Sequence, residues 1–105
     1  MIFKILKKND ELGLDNEKLS FSYIQTKLSE EYDEVVHELA SENWYRLGLE
    51  VMDLIQVCIL ILWRLNRRGV SIRSLEREHN EKLEKRGWIT ESIINVKFED
   101  TNNMP

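Results

Sequence analysis

Residues 47–63 constrain the fold of this chain more than any other stretch. Across these positions the only side chains that ionise near neutrality are Glu50 and Asp53, and Gln56 is the only other clearly polar one; the remainder is Leu, Val, Met, Ile, Cys, Trp and Gly48. No proline interrupts the run, so it reads as the interior of a helix over about residues 43–67. A helix that is apolar on nearly every side has to be surrounded by protein. It is not a membrane span, because its longest uninterrupted apolar run, Val57 to Trp63, covers seven residues and a bilayer requires about 20. A chain of 105 residues has room for one domain and a modest core. Three helices from so small a chain can hardly cover every side of the central one, and the expectation is that a second copy supplies the missing wall.

Within that surround Glu50 and Asp53 pose an electrostatic problem. They stand three residues apart, on one side of the helix. An isolated buried charge costs several kcal/mol or neutralises by shifting its pKa. These acids therefore need cations. Arg46, one turn before Glu50, and Arg64, further along the same face, offer a salt-bridge solution; metal ligation is the alternative.

The preceding helix, predicted over about 18–40, brings more carboxylates. Its apolar positions Phe21, Ile24, Leu28, Tyr32, Val35 and Leu39 recur at spacings of three and four and form one stripe. At about 100° per residue, Lys27, Glu31, Glu34 and Glu38 fall along one shoulder of the stripe, with Glu30 just beyond. Exposed Glu is a common helix former, so a solvated face is one reading. The other pairs Glu31 and Glu34 against Glu50 and Asp53, an oxygen-rich cage suited to Mg²⁺ or Mn²⁺. The polar connection Ser41-Glu42-Asn43 is short enough to make the two helices antiparallel neighbours. Capping oxygens are available at Asp15 or Ser20 for the first helix and at Ser41 or Asn43 for the second.

A third helix is expected from Ser71 or Ser74 to about Arg86, following the Arg67-Arg68-Gly69 stop. Its apolar residues, Ile72, Leu75 and Leu83, are few, which suits a helix that covers a surface. Lys82 and Arg86 share a face one turn apart, as two donors gripping an oligophosphate would, although Glu78, Glu81 and Glu84 also allow ordinary surface ion pairs. Residues 1–53 hold six Lys/Arg against twelve Asp/Glu, and residues 54–105 hold nine against seven. An acidic half and a mildly basic half suit a metal ion and the anion it carries. The remaining organisation is an N-terminal arm at 1–17, with Ile2, Phe3, Ile5 and Leu6 as a strand or helical turn, a helical domain at 18–88 and a polar, loose tail at 89–105. Cys58 reads as a buried, reduced thiol, and no signal peptide is apparent, so a cytoplasmic location is expected. Trp44, Trp63 and Trp88 read as core residues before base-stacking ones, and His37 and His79 as surface or core-edge residues before ligands.

The ordered combination Glu30-Glu31-x-x-Glu34, then Glu50-x-x-Asp53, then Asn80-x-Lys82-x-x-x-Arg86-Gly87 resembles the MazG-type all-α nucleoside triphosphate pyrophosphohydrolases over roughly residues 20–88. The resemblance implies a helical bundle with three main helices per chain, completed by dimerisation or by pairing of dimers. It implies Mg²⁺-dependent hydrolysis of (d)NTPs to the monophosphate and pyrophosphate, in a house-cleaning role. Glu31, Glu34, Glu50 and Asp53 would be the metal ligands, and Glu30 would bind through water or activate the attacking water. Lys82 and Arg86, assisted by Asn80, would neutralise the phosphates. The arm lies outside the resemblance. The competing expectation is a helical dimer without catalysis, an interaction or regulatory module whose acids are salt-bridged. Nucleic-acid binding through Arg64, Arg67, Arg68, Arg73 and Arg77 is disfavoured by the acidic total, and no membrane partner is expected.

Overall fold

The computed structural model describes residues 1–99 and is all-α apart from one small hairpin. Two short strands, β1 (Lys8–Asn9) and β2 (Leu14–Asp15), precede the helices α1 (Phe21–Ser41), α2 (Trp44–Arg67) and α3 (Ile72–Lys85). Ile5–Val70 form one compact unit; Met1–Lys4 with the described residues from Ser71 onward form another. None of the described helices is long and apolar enough to cross a membrane.

Each helix starts where a side-chain oxygen can take up an otherwise orphaned amide. Ser20 accepts from the Tyr23 amide, Asn43 from that of Arg46, and Ser71 from that of Ser74, each substituting for a missing intrahelical carbonyl. The helix ends differ. After α2, Gly69 takes a left-handed conformation (φ 87°) and the Val70 amide reaches back to the Leu65 carbonyl; Gly87 and Trp88 repeat the device after α3. Between α1 and α2 the left-handed position is held by Glu42 (φ 59°), a residue whose Cβ makes that conformation costly.

The arm departs from its simplest reading. Ile2, Phe3, Ile5 and Leu6 form neither strand nor helix; the pairing falls on residues beyond them, with Lys8 opposite Asp15 and Asn9 opposite Leu14. Asn16 ties the base of the hairpin, its amide donating to the Lys7 carbonyl (2.9 Å) and its side chain to the Leu6 carbonyl (2.9 Å).

Packing between α1 and α2 is rotated from the apolar stripe toward the acidic shoulder. Ile24 and Ile59 are the buried apolar residues, and Glu38 is buried at 7% exposure, whereas the stripe members Phe21, Tyr32 and Leu39 lie open. On α2, Trp44, Leu49, Met52 and Leu62 are exposed as well. Cys58, expected to be buried, is exposed: its neighbours within one copy cover only part of α2, so an apolar environment in sequence does not become one in space. Trp44 and Trp88 are likewise exposed rather than core, whereas His37 and His79 are exposed as expected. No residue of α3 is buried. Residues 89–99 carry no helix or strand, and the remainder of the tail expected to be loose, residues 100–105, lies outside the described residues.

Candidate metal centre

The short α1–α2 connection sets the two carboxylate pairs against each other. Ligand oxygens of Glu31, Glu50 and Asp53 all lie within 4.8 Å of one another. Glu34, one turn after Glu31 on α1, stands outside this group of three, but its carboxyl acts on both Glu50 and Glu31. The nearby Glu34 carboxyl is the main reason that Glu50 titrates above the ordinary carboxylate range, with partial burial and the charges of Glu34, Asp53 and Glu31 adding to it. Glu31 is also raised, mainly by burial and then by Glu34 and Asp53, against a lowering influence from Lys27.

The decisive detail is what these acids lack. Glu31 Oε2 and Glu50 Oε2 are both buried without a hydrogen-bond partner, a situation that native proteins rarely leave uncompensated. The cations that could have served Glu50 are engaged elsewhere. Arg46 pairs with Glu38 at 3.5 Å. The Arg64 guanidinium donates to the carbonyls of Asn16 and Leu19, both at 2.9 Å, and its charge lies over the Phe21 ring. Glu38 shows the contrast within the same helix: it too is buried, but it accepts from the Ser41 hydroxyl at 2.8 Å and faces Arg46. A hard divalent cation fits the group of Glu31, Glu50 and Asp53, because carboxylate oxygens are its preferred ligands and two buried ones are without partners.

The other expected site residues are placed differently. Glu30 is turned out of the acid group, its carboxylate bound to Lys27 Nζ at 3.0 Å, and that pairing in turn raises the Lys27 pKa. On α3, Lys82 and Arg86 line one concavity together with His79 and Glu78, whereas Asn80 lines another with Arg73 and Arg77. All three side chains are exposed. The turn of the helix thus separates Asn80 from the two cations it was grouped with.

One element of the site was not anticipated from sequence. A cavity of about 340 Å³ adjoins the acids, with Glu31, Asp53 and Lys27 in its wall beside Ile5, Leu6 and Leu14 of the arm. Lys27 carried a weak signal, standing one turn before Glu31. The arm residues carried none, since only the hairpin brings them there. Compared with family models, curated proteins and solved structures, the chain matches none of them.

Proposed function

We propose that this protein is a Mg²⁺-dependent nucleoside triphosphate pyrophosphohydrolase, converting (d)NTPs to the monophosphate and pyrophosphate. The observation that carries the reading is the pair of buried, partnerless oxygens on Glu31 and Glu50, facing each other beside Asp53 and Glu34 with the neighbouring arginines already engaged. Glu31, Glu34, Glu50 and Asp53 are the residues that would hold the metal. Bound there, Mg²⁺ or Mn²⁺ would supply positive charge to the phosphates and make a water molecule more acidic. The chain's own part is positioning and charge, which is most of what phosphoryl-type displacement needs. Water adds to the α-phosphorus, the bond to the bridging oxygen breaks, and pyrophosphate leaves; the water proton would go to a carboxylate oxygen that these four acids do not turn to the cation. Glu30, bound to Lys27, would act through that pair on the rim of the site. Lys82 and Arg86 would supply positive charge to the leaving phosphates.

The open apolar residues Tyr32, Leu39, Leu49, Met52 and Leu62 favour assembly with a second copy, which completes the bundle in this reading. They also suit the alternative of a helical dimer without catalysis. One experiment distinguishes them: pyrophosphate release from a panel of dNTPs, with and without Mg²⁺, for the wild type and for Glu50→Gln. Metal-dependent release by the wild type and none by the variant is expected. Absence of turnover with every nucleotide, and no thermal shift on adding Mg²⁺, would leave the non-catalytic module.

A further inference from the structure

Two members of the acid group, Glu31 and Asp53, stand at the wall of a cavity. Its volume is about 340 Å³, within the range of about 300–1,000 Å³ typical of small-molecule sites. The wall is mixed in the manner of such sites: Ile5 and Leu14 of the arm and Leu60 of α2 are apolar, Tyr23 is aromatic, and Glu31 and Asp53 bring the acids to its edge. A ligand lodged here would therefore be apolar where it meets the arm and would chelate a cation where it meets the carboxylates.

The arm is a fixed wall and not a passing tail. Arg64 donates to the carbonyls of Asn16 and Leu19, Arg67 pairs with Glu17 at 3.3 Å, and Asn16 closes the base of the hairpin onto Lys7 and Leu6. Two arginines near the end of α2 thus hold the hairpin in register with the cavity. The Arg64 guanidinium is a positioning group: it touches the backbone of the arm, and through it sets where Ile5 and Leu14 stand.

From this juxtaposition we infer that the arm-walled cavity binds the planar heterocycle of the nucleotide whose phosphates are held at the acid group, and that the arm determines which base is accepted. The inference rests on the pyrophosphohydrolase reading for the phosphates, but the cavity has its own observables.

The test uses the full chain with methyl-labelled Ile and Leu, titrated separately with deoxynucleosides, with dNTPs plus Mg²⁺, and with inorganic triphosphate plus Mg²⁺. Nucleosides and dNTPs should both shift the methyl signals of Ile5, Leu14 and Leu60; inorganic triphosphate should leave Ile5 and Leu14 unmoved. Leu14→Trp, a substitution at a half-exposed hairpin position, should raise the Kd for dNTPs at least ~10-fold by filling the cavity and leave that for inorganic triphosphate unchanged. Arg64→Ala should reduce the discrimination between bases while Mg²⁺ binding persists. Equal wild-type affinity for dNTPs and inorganic triphosphate would overturn the inference while leaving the pyrophosphohydrolase standing. So would cavity shifts that follow protein concentration alone, which would mean that a second copy fills the space. Conversely, nucleoside shifts at the cavity without any Mg²⁺-dependent binding of phosphates would sink the enzymatic reading and show the cavity to be a base site of another kind.

Discussion

Replacing Glu31 by Gln should stabilise the metal-free protein at neutral pH. The carboxylate oxygens of Glu31 and Asp53 come within 4.8 Å, a separation at which like charges repel by about 1 kcal/mol in water and about 3.5 kcal/mol at an effective dielectric near 20. Glu31 is half-buried and Asp53 exposed, so the lower part of that range applies. Taking about 1 kcal/mol, the variant should melt roughly 4–8 °C higher than the wild type in chelator at pH 7, the scale for a domain of this size. The sign with pH follows from the raised Glu31 pKa. Folding raises the proton affinity of this carboxyl, so the folded state binds more protons than the unfolded one between the ordinary and the raised value, and stability falls as pH rises through that window. The gap between variant and wild type should therefore close toward about pH 4, near the ordinary Glu value. Saturating Mg²⁺ should reverse the order: at 100 times the Kd a ligand adds about 2.7 kcal/mol to the wild type, and a variant short of one ligand gains less. Differential scanning fluorimetry across pH, in chelator and in Mg²⁺, measures all of this. A Glu31→Gln protein that melts below the wild type in chelator at pH 7 would mean that a cation of the chain already serves this carboxylate, and the case for a metal would fall with it.

Further outcomes follow from the same geometry. Glu50→Gln should remain folded, since its buried Oε2 has no partner to lose, and should abolish the Mg²⁺-induced thermal shift; unfolding on this substitution, seen by circular dichroism, would restore a structural role for Glu50. Arg46→Ala should cost about 1 kcal/mol by stranding the buried Glu38 carboxylate, measurable in urea, with no change in Mg²⁺ affinity by calorimetry. Glu42→Gly should raise stability by about 1 kcal/mol, because it removes the Cβ penalty at φ 59°; an unchanged denaturation midpoint would mean that the α1–α2 connection relaxes without cost.

Much of the helical framework is local and was therefore legible. Ser20, Asn43, Ser71, Gly69 and Gly87 stand at the boundaries because capping oxygens and left-handed glycines act on their immediate neighbours. The pairing of Glu31 with Glu50 and Asp53 could be posed from spacing alone, since a three-residue interval fixes a shared side of a helix. Whether the two sides met depended on the rotation of α1 about its own axis. That rotation buried Glu38 and exposed Tyr32 and Leu39, against what the apolar stripe suggested, because a stripe says which side is apolar and not which partner is present to cover it. Cys58 was misjudged on the same ground.

By itself, then, the sequence determined three capped helices, a nearly all-apolar central one, and acids spaced to share a side. Only the tertiary structure decided that Arg46 and Arg64 would be drawn away to Glu38 and to the arm, leaving Glu31 and Glu50 with buried oxygens that neither arginine serves. It also decided that a hairpin at Lys8–Asn9 and Leu14–Asp15 would wall a cavity beside them. The physical reason is range: caps and helix sides are set within one or two turns of chain, whereas the competition of carboxylates for a few arginines is settled by contacts up to 48 residues apart.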